Sequence, residues 1–166
     1  FESSLEFISD DICSDFYIFI SNEMKKMGYE HYEISNFSLP SKRSRHNMKY
    51  WNLEDYLGIG PSAHSLIDGK RFYYENDINN FILNPKILDE GIGGTTEEYA
   101  MLRLRLSDGL ANEEYQKKFG MSIPEEYFKK AKKFEDFGLV KINENNIVLT
   151  SKGFLLSNKI ISDLIL

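Results

Sequence analysis

At Gly28 the hydrophobic period of the chain changes from that of a helix to that of a strand. Before it, Ile12, Phe16, Phe19/Ile20, Met24 and Met27 recur at the spacing of one helical face. Ser9 can cap that helix, and Asp10 and Asp11 suit the positive end of its dipole. After it, in YEHYEISNF, Tyr29, His31 and Glu33 alternate with Glu30, Tyr32 and Ile34, as in a strand. Gly28 itself sits where a helix ends in a left-handed residue. Helix, glycine and strand in such close succession form the αβ step of an α/β protein, so the expected fold class is α/β.

The next segment is less regular. Residues 38–55 are polar at first and then aromatic, and are expected to form a long ordered loop with a helical turn in NLEDY. Tyr56 to Ile59 is expected to be a further strand that ends in G-I-G-P. AHSLI and KRFYYE flank Asp68-Gly69, the signature of a hairpin with a type I′ turn. Asp77 can cap a short helix, INNFIL, which Pro85 stops. ILDEGIGG reads as a linker.

A second unit is expected to begin there, giving domains at 1–92 and 93–166. Thr95 or Thr96 before Glu97 and Glu98 is a capping signature, followed by the apolar stripe Tyr99, Leu102, Leu106. Asn112 can cap EEYQKKFG. Pro124 suits the first turn of a helix whose buried face is expected to hold Tyr127, Phe128, Ala131, Phe134 and Phe137. LVKINENNIVLT reads as a hairpin, and Thr150 or Ser151 caps a last helix. Three helices, a two-stranded wing and a helix make a winged-helix-like order.

Charge separates the two units. Residues 1–94 carry 9 Lys and Arg against 15 Asp and Glu, whereas residues 95–166 carry 11 of each. A net charge of −6 disfavours nucleic acid as a partner of the whole chain. The four lysines 129, 130, 132 and 133 are interleaved with Glu125, Glu126, Glu135 and Asp136, which makes them a solvated mixed-charge face. No apolar run reaches the roughly 20 residues of a membrane span. The acidic start, FESSLEFISDD, has no resemblance to a secretory leader. Cys13 stands alone, which fits a reducing cytoplasm and falls short of the thiolates that an iron–sulfur cluster requires.

Chemistry concentrates in SRHNMKYWNLEDYLGIGPSAHS, residues 44–65, with two of the three histidines and the single tryptophan. Tyr50 and Trp51 offer large faces, Arg45 and Lys49 can pair with carboxylates, and a neutral His46 can ligate a metal. Those are the counterparts of a metalloporphyrin's ring, propionates and axial position. The plainer alternative is a packed aromatic corner with a hydrogen-bonded histidine. Gly58 and Gly60 can let a backbone approach a ligand at a strand end, or simply make a tight turn. They lack the third glycine and the helix of a dinucleotide fingerprint. His64 is a possible proton carrier, and Glu33 is either a buried carboxylate or, as expected, a partly exposed edge residue.

GYEHYEISNF, RHNMKYW, YLGIGPSAHS and EEYAMLRLRLSDGL…FG…FEDFGLV…IVLTSKGFLLSN together resemble the HemW branch of the oxygen-independent coproporphyrinogen III oxidase-like family. The resemblance covers nearly the whole chain. It implies a radical S-adenosylmethionine (SAM) protein whose CxxxCxxC motif holds a 4Fe–4S cluster early in a (β/α) barrel, and this sequence contains no such motif. The implied architecture is therefore the C-terminal strands and helix of an incomplete barrel, followed by a winged-helix-like, mainly α domain, with the rest of the barrel as a partner. The parent would oxidatively decarboxylate porphyrinogen propionates or bind and deliver haem, and this part alone is expected to be inactive. The HNxxYW block that the branch links to haem falls on His46, Asn47, Tyr50 and Trp51, with Arg45 beside it and Gly58, Gly60 and His64 at the barrel exit. A different reading is a winged-helix module for nucleic acid or protein.

Overall fold

The structure, a computed structural model, describes residues 9–166; the first eight, within the acidic FESSLEFISDD stretch, lie outside it. The fold is mixed α/β. Helix α1 (Asp10–Lys26) starts at Ser9, whose hydroxyl accepts from the Ile12 amide, and ends just before Gly28, at φ +83°. Its inward side is not the expected one. Tyr17 and Ser21 face the protein, while Ile12, Phe16, Phe19, Ile20 and Met27 are exposed. The apolar stripe is present, but within the described residues nothing covers it.

The expected strand YEHYEISNF is a tight antiparallel hairpin, β1 (Glu30–Glu33) and β2 (Asn36–Ser38). The alternation is present, but Ile34 and Ser35 form a turn that reverses the chain into Asn36. Its outer side joins the C-terminal unit: Glu33 pairs with Leu106, and the Ser107 amide donates to the Tyr32 carbonyl at 3.0 Å. Helix α2 (Arg45–Trp51) replaces the expected loop, and NLEDY lies beyond its end.

The hairpin β3 (His64–Ile67) and β4 (Lys70–Tyr74) forms as expected, with Asp68 and Gly69 both at positive φ as a type I′ turn requires. After α3 (Ile78–Leu83), capped by Asp77, the expected linker is strand β5 (Ile87–Ile92). It pairs antiparallel with β4, so the sheet runs β3-β4-β5. The glycine-rich stretch stays in the sheet because Gly91 sits in an irregularity of the ladder instead of ending it.

The C-terminal unit contains α4 (Thr96–Arg103), β6 (Leu110–Ala111), α5 (Asn112–Phe119), α6 (Glu125–Glu135), β7 (Val140–Ile142), β8 (Asn146–Leu149), α7 (Ser151–Leu155) and α8 (Ser157–Ile165). Thr95 caps α4 through the Glu98 amide, and Thr150 caps α7 through the Gly153 amide. Three details differ from expectation. Asn112 does not cap α5; its side-chain Oδ1 accepts from the Ile123 amide at 2.9 Å. The final helix is broken at Leu156, and a short β6 completes a β6-β8-β7 sheet. Phe137, one residue past the α6 C-cap, is 76% exposed.

The core lies in this unit, around Tyr99, Leu104, Tyr115, Ala131, Ile147 and Ile160, and the N-terminal part contributes Leu53 and Leu66 to it. Arg103, 4% exposed, ties the two parts. It donates to the Asn52 side-chain oxygen at 2.9 Å, and its guanidinium lies 2.6 Å from the Glu114 carboxylate. Removing Glu114 would strand a buried cation, whereas Arg103→Met would leave only a solvated carboxylate. Glu114→Ala is expected to cost about 2 kcal/mol in urea unfolding, a buried-pair loss discounted for Glu114's exposure. Arg103→Met should cost less, and a larger loss for Arg103→Met would refute this account.

Candidate functional site

Ser44 starts α2 by accepting from the Asn47 amide at 3.3 Å. His46 and Tyr50 are one turn apart, so they share a face. The Tyr50 hydroxyl is 3.0 Å from His46 Nε2, and the rings meet edge-on at 5.0 Å. Tyr50 in turn meets Tyr56 edge-on at 4.5 Å. The Tyr56 backbone pairs both ways with Leu66 of β3, at 2.8 and 3.0 Å. Its hydroxyl accepts from Arg71 of β4 at 3.2 Å, and Arg71 pairs with Glu98 of α4. A row His46–Tyr50–Tyr56–Arg71 thus runs from α2 across the sheet to the helical unit. Arg45 and Lys49 are exposed beside it, while Asn47 and Trp51 are half-buried.

Tyr56 to Ile59 is not a strand beyond the Tyr56–Leu66 pair, and Leu57 and Ile59 are exposed. Gly58 explains this. Its amide donates to the Ser65 hydroxyl at 3.0 Å, and it passes so close to the Ala63–His64 peptide that a Cβ would strike the His64 carbonyl. Gly60, at φ +126°, opens a turn closed by the Ala63 amide. His64 then stacks on Tyr73, its cross-strand partner, at 4.9 Å and 20°. Its Nδ1 lies 2.8 Å from a Glu90 oxygen. Gly58, Gly60 and His64 are therefore brought together, and Tyr56 links them to the α2 residues.

Two residues outside the motif-rich stretch, His31 and Glu33, form a separate polar cluster. Glu33 is 2% exposed, not a surface edge residue, because the Leu106 pairing covers it. His31 is held on both nitrogens, with Ser21 Oγ 3.1 Å from Nδ1 and the Ile34 carbonyl 3.1 Å from Nε2. Phe37 stacks on it at 4.2 Å and Phe154 meets its edge. Burial lowers its pKa, against smaller opposing effects of the Ile34 carbonyl and Glu33. Tyr17, which donates to Ile34 O at 2.7 Å, is pushed up to about 12 by burial and then by the Glu33 carboxylate. The Tyr17–Ser21 pair at helical spacing opposite an alternating histidine was the available sign.

Residues 96–156 match the HemN C-terminal domain family model. The heme chaperone HemW of Lactococcus lactis subsp. lactis (strain IL1403) is 31% identical over 95% of this chain and 43% of its own length. The HemW heme chaperone of Bacillus subtilis (strain 168) is 30% identical over 89% of this chain and 41% of its own. The structure described as "Coproporphyrinogen III oxidase (HemN) from Escherichia coli is a Radical SAM enzyme" aligns over 98% of this chain and 43% of that one, at TM-score 0.70 and 17% identity. The chain belongs to the HemN/HemW family. It spans about two fifths of the length of these relatives and matches the family's C-terminal portion.

The residues present do not fit a family iron–sulfur cluster. Cys13 is the sole thiol of the chain, and among the described residues no three His, Cys, Asp or Glu side chains gather as a metal site. Among them too, no helix is long and apolar enough to cross a membrane. Helix α2 combines exposed cations, an imidazole and aromatic rings on adjoining positions.

Two measurements check this geometry. Gly58→Ala should displace the Ala63–His64 peptide and lower the melting temperature by several degrees, with a shift of the His64 ring resonances. An unchanged spectrum would show that the close approach is slack. A neutral, half-buried His31 binds its proton more weakly folded than unfolded, so stability should fall as pH drops below the ordinary histidine value of about 6.5. His31→Gln should flatten that part of the stability–pH curve, and a curve parallel to wild type would contradict the assignment.

Proposed function

We propose that this chain is the C-terminal part of a radical SAM protein of haem and porphyrin metabolism, and that its own task is to bind a tetrapyrrole along α2. The observation that carries the reading is the row of exposed His46 and Tyr50 backed by half-buried Tyr56, flanked by the exposed cations Arg45 and Lys49. Haem would supply a flat ring, carboxylates and an iron with an open axial position. Tyr50 and Trp51 would contact the ring, Arg45 and Lys49 would pair with the carboxylates, and His46 would face the iron with Asn47 beside it. The relatives named heme chaperones favour haem binding and delivery over propionate decarboxylation as the parent's activity.

The 4Fe–4S cluster and SAM would then be held by the parent's other residues, since one cysteine cannot hold the cluster. The exposed Ile12, Phe16, Phe19 and Ile20 would seat α1 against the remainder of the barrel, with residues 1–92 as its C-terminal part and 93–166 as a winged-helix-like unit. The cytoplasm is the compartment consistent with this assignment. A nucleic-acid role for the helical unit has less support: Lys129, Lys130 and Lys133 of α6 pair with Glu125, Glu126 and Asp163, at 3.1, 3.0 and 3.1 Å.

Titration with ferric haem, followed at the Soret band, tests the reading. A saturable band is expected for the chain, and His46→Ala should weaken it about tenfold, on the order of 1.4 kcal/mol. A wild-type spectrum identical to that of haem in buffer would refute tetrapyrrole binding.

A further inference from the structure

We propose that His64, oriented by Glu90, is an iron ligand of the tetrapyrrole site; this rests on the tetrapyrrole reading above and adds a residue to it. The three histidines differ in what their ring nitrogens do. His31 uses both on Ser21 and Ile34, inside the protein. His46 has Nε2 against the Tyr50 hydroxyl. His64 places Nδ1 against a carboxylate, 2.8 Å from Glu90, with its side chain 49% exposed. With Nδ1–H donating to Glu90, the Nε2 lone pair is left for a ligand. A carboxylate behind the far nitrogen is the usual support of a ligating imidazole, because it fixes the tautomer and strengthens the donor.

The backbone is arranged to produce this pair. Arg71 of β4 faces Gly91 of β5, while Phe72 faces Asp89, so Glu90 is the extra residue of a β-bulge. Gly91 takes φ +92°, and its amide donates to the Asp89 side chain at 2.8 Å. A bulge re-aims a side chain, here across the central strand β4 to a residue of β3. Tyr73, between the two in the sheet, holds the imidazole plane by stacking. An exposed ion pair contributes little to stability, so the bulge is poorly explained by the strength of His64–Glu90 alone. The neighbouring turn is packed at one glycine and open at the other. Gly58 lies against the His64 carbonyl, whereas nothing lies within 4 Å of where a Cβ of Gly60 would be. A flat ligand could approach over Gly60, beside the exposed Ile59. Tyr56, two residues before Gly58, carries the row back to Tyr50 and His46.

Ferric haem added to the full chain, read by Soret absorption and by the iron–histidine stretch in resonance Raman of the reduced form, tests the assignment. His64→Ala should weaken binding about tenfold and remove the iron–histidine signature, and added imidazole should restore it. Glu90→Gln, at an exposed position that does not threaten folding, should retain the band but lower the stretching frequency, as a weaker donor requires. If both variants leave the wild-type spectrum and affinity unchanged while His46→Ala abolishes binding, His64 is a structural residue and the inference fails, although the tetrapyrrole reading stands. If the wild-type chain gives no saturable band, both fall together.

Discussion

The buried Arg103 guanidinium is the joint on which the arrangement of this chain depends. A cation at 4% exposure depends on the partners that meet it, and here both terminal guanidinium nitrogens are met while Nε has no partner. Asn52, the residue that ends α2, and Glu114 of α5 meet it from opposite parts of the chain. Lys118 adds a second tie by donating to the Leu53 carbonyl at 3.1 Å. The exit from α2 is therefore fastened to the helical unit, and Leu53 enters the core there despite a φ of +54°. Without that joint the aromatic face of α2 would hang on a loop. With it, the face belongs to a rigid support.

The same economy appears in the sheet. β4 carries Arg71, which meets Tyr56 and Glu98, and Tyr73, which stacks on His64. In the register of the hairpin, Arg71 faces Leu66 and Tyr73 faces His64. One strand thus positions both the end of the aromatic row and the imidazole–carboxylate pair. The two histidines of the motif-rich stretch are set by separate local rules, helical spacing for His46 and cross-strand pairing for His64.

Much of the fold was readable from local sequence. The Ser9, Asp77, Thr95 and Thr150 caps, the Asp68-Gly69 turn and the β7–β8 hairpin depend on residues close in the chain, and they occur where their chemistry requires. What could not be read depended on distant partners. β5 looks like a linker until β4 is beside it, and Glu33 looks like an edge residue until Leu106 covers it. The apolar stripe of α1 was correctly located on the helix, but which side faces inward was decided by His31 and Phe154. Of the site, His46 and Tyr50 share a helical face by spacing alone. Glu90 behind His64 is 26 residues away in sequence, and no local pattern announces it.

The bulge in β5 has a further consequence, for association. β5 is at the outer edge of its sheet, and a regular edge strand offers its backbone to any other chain. Here Ile87 and Ile92 at its two ends are exposed, which would make a flat edge adhesive. Asp89 and Glu90 put negative charge in the middle of that edge, and the turn at Gly91 breaks the row of amides and carbonyls. The irregularity that aims one carboxylate across the sheet toward β3 also keeps the sheet from growing by the addition of a stranger's strand.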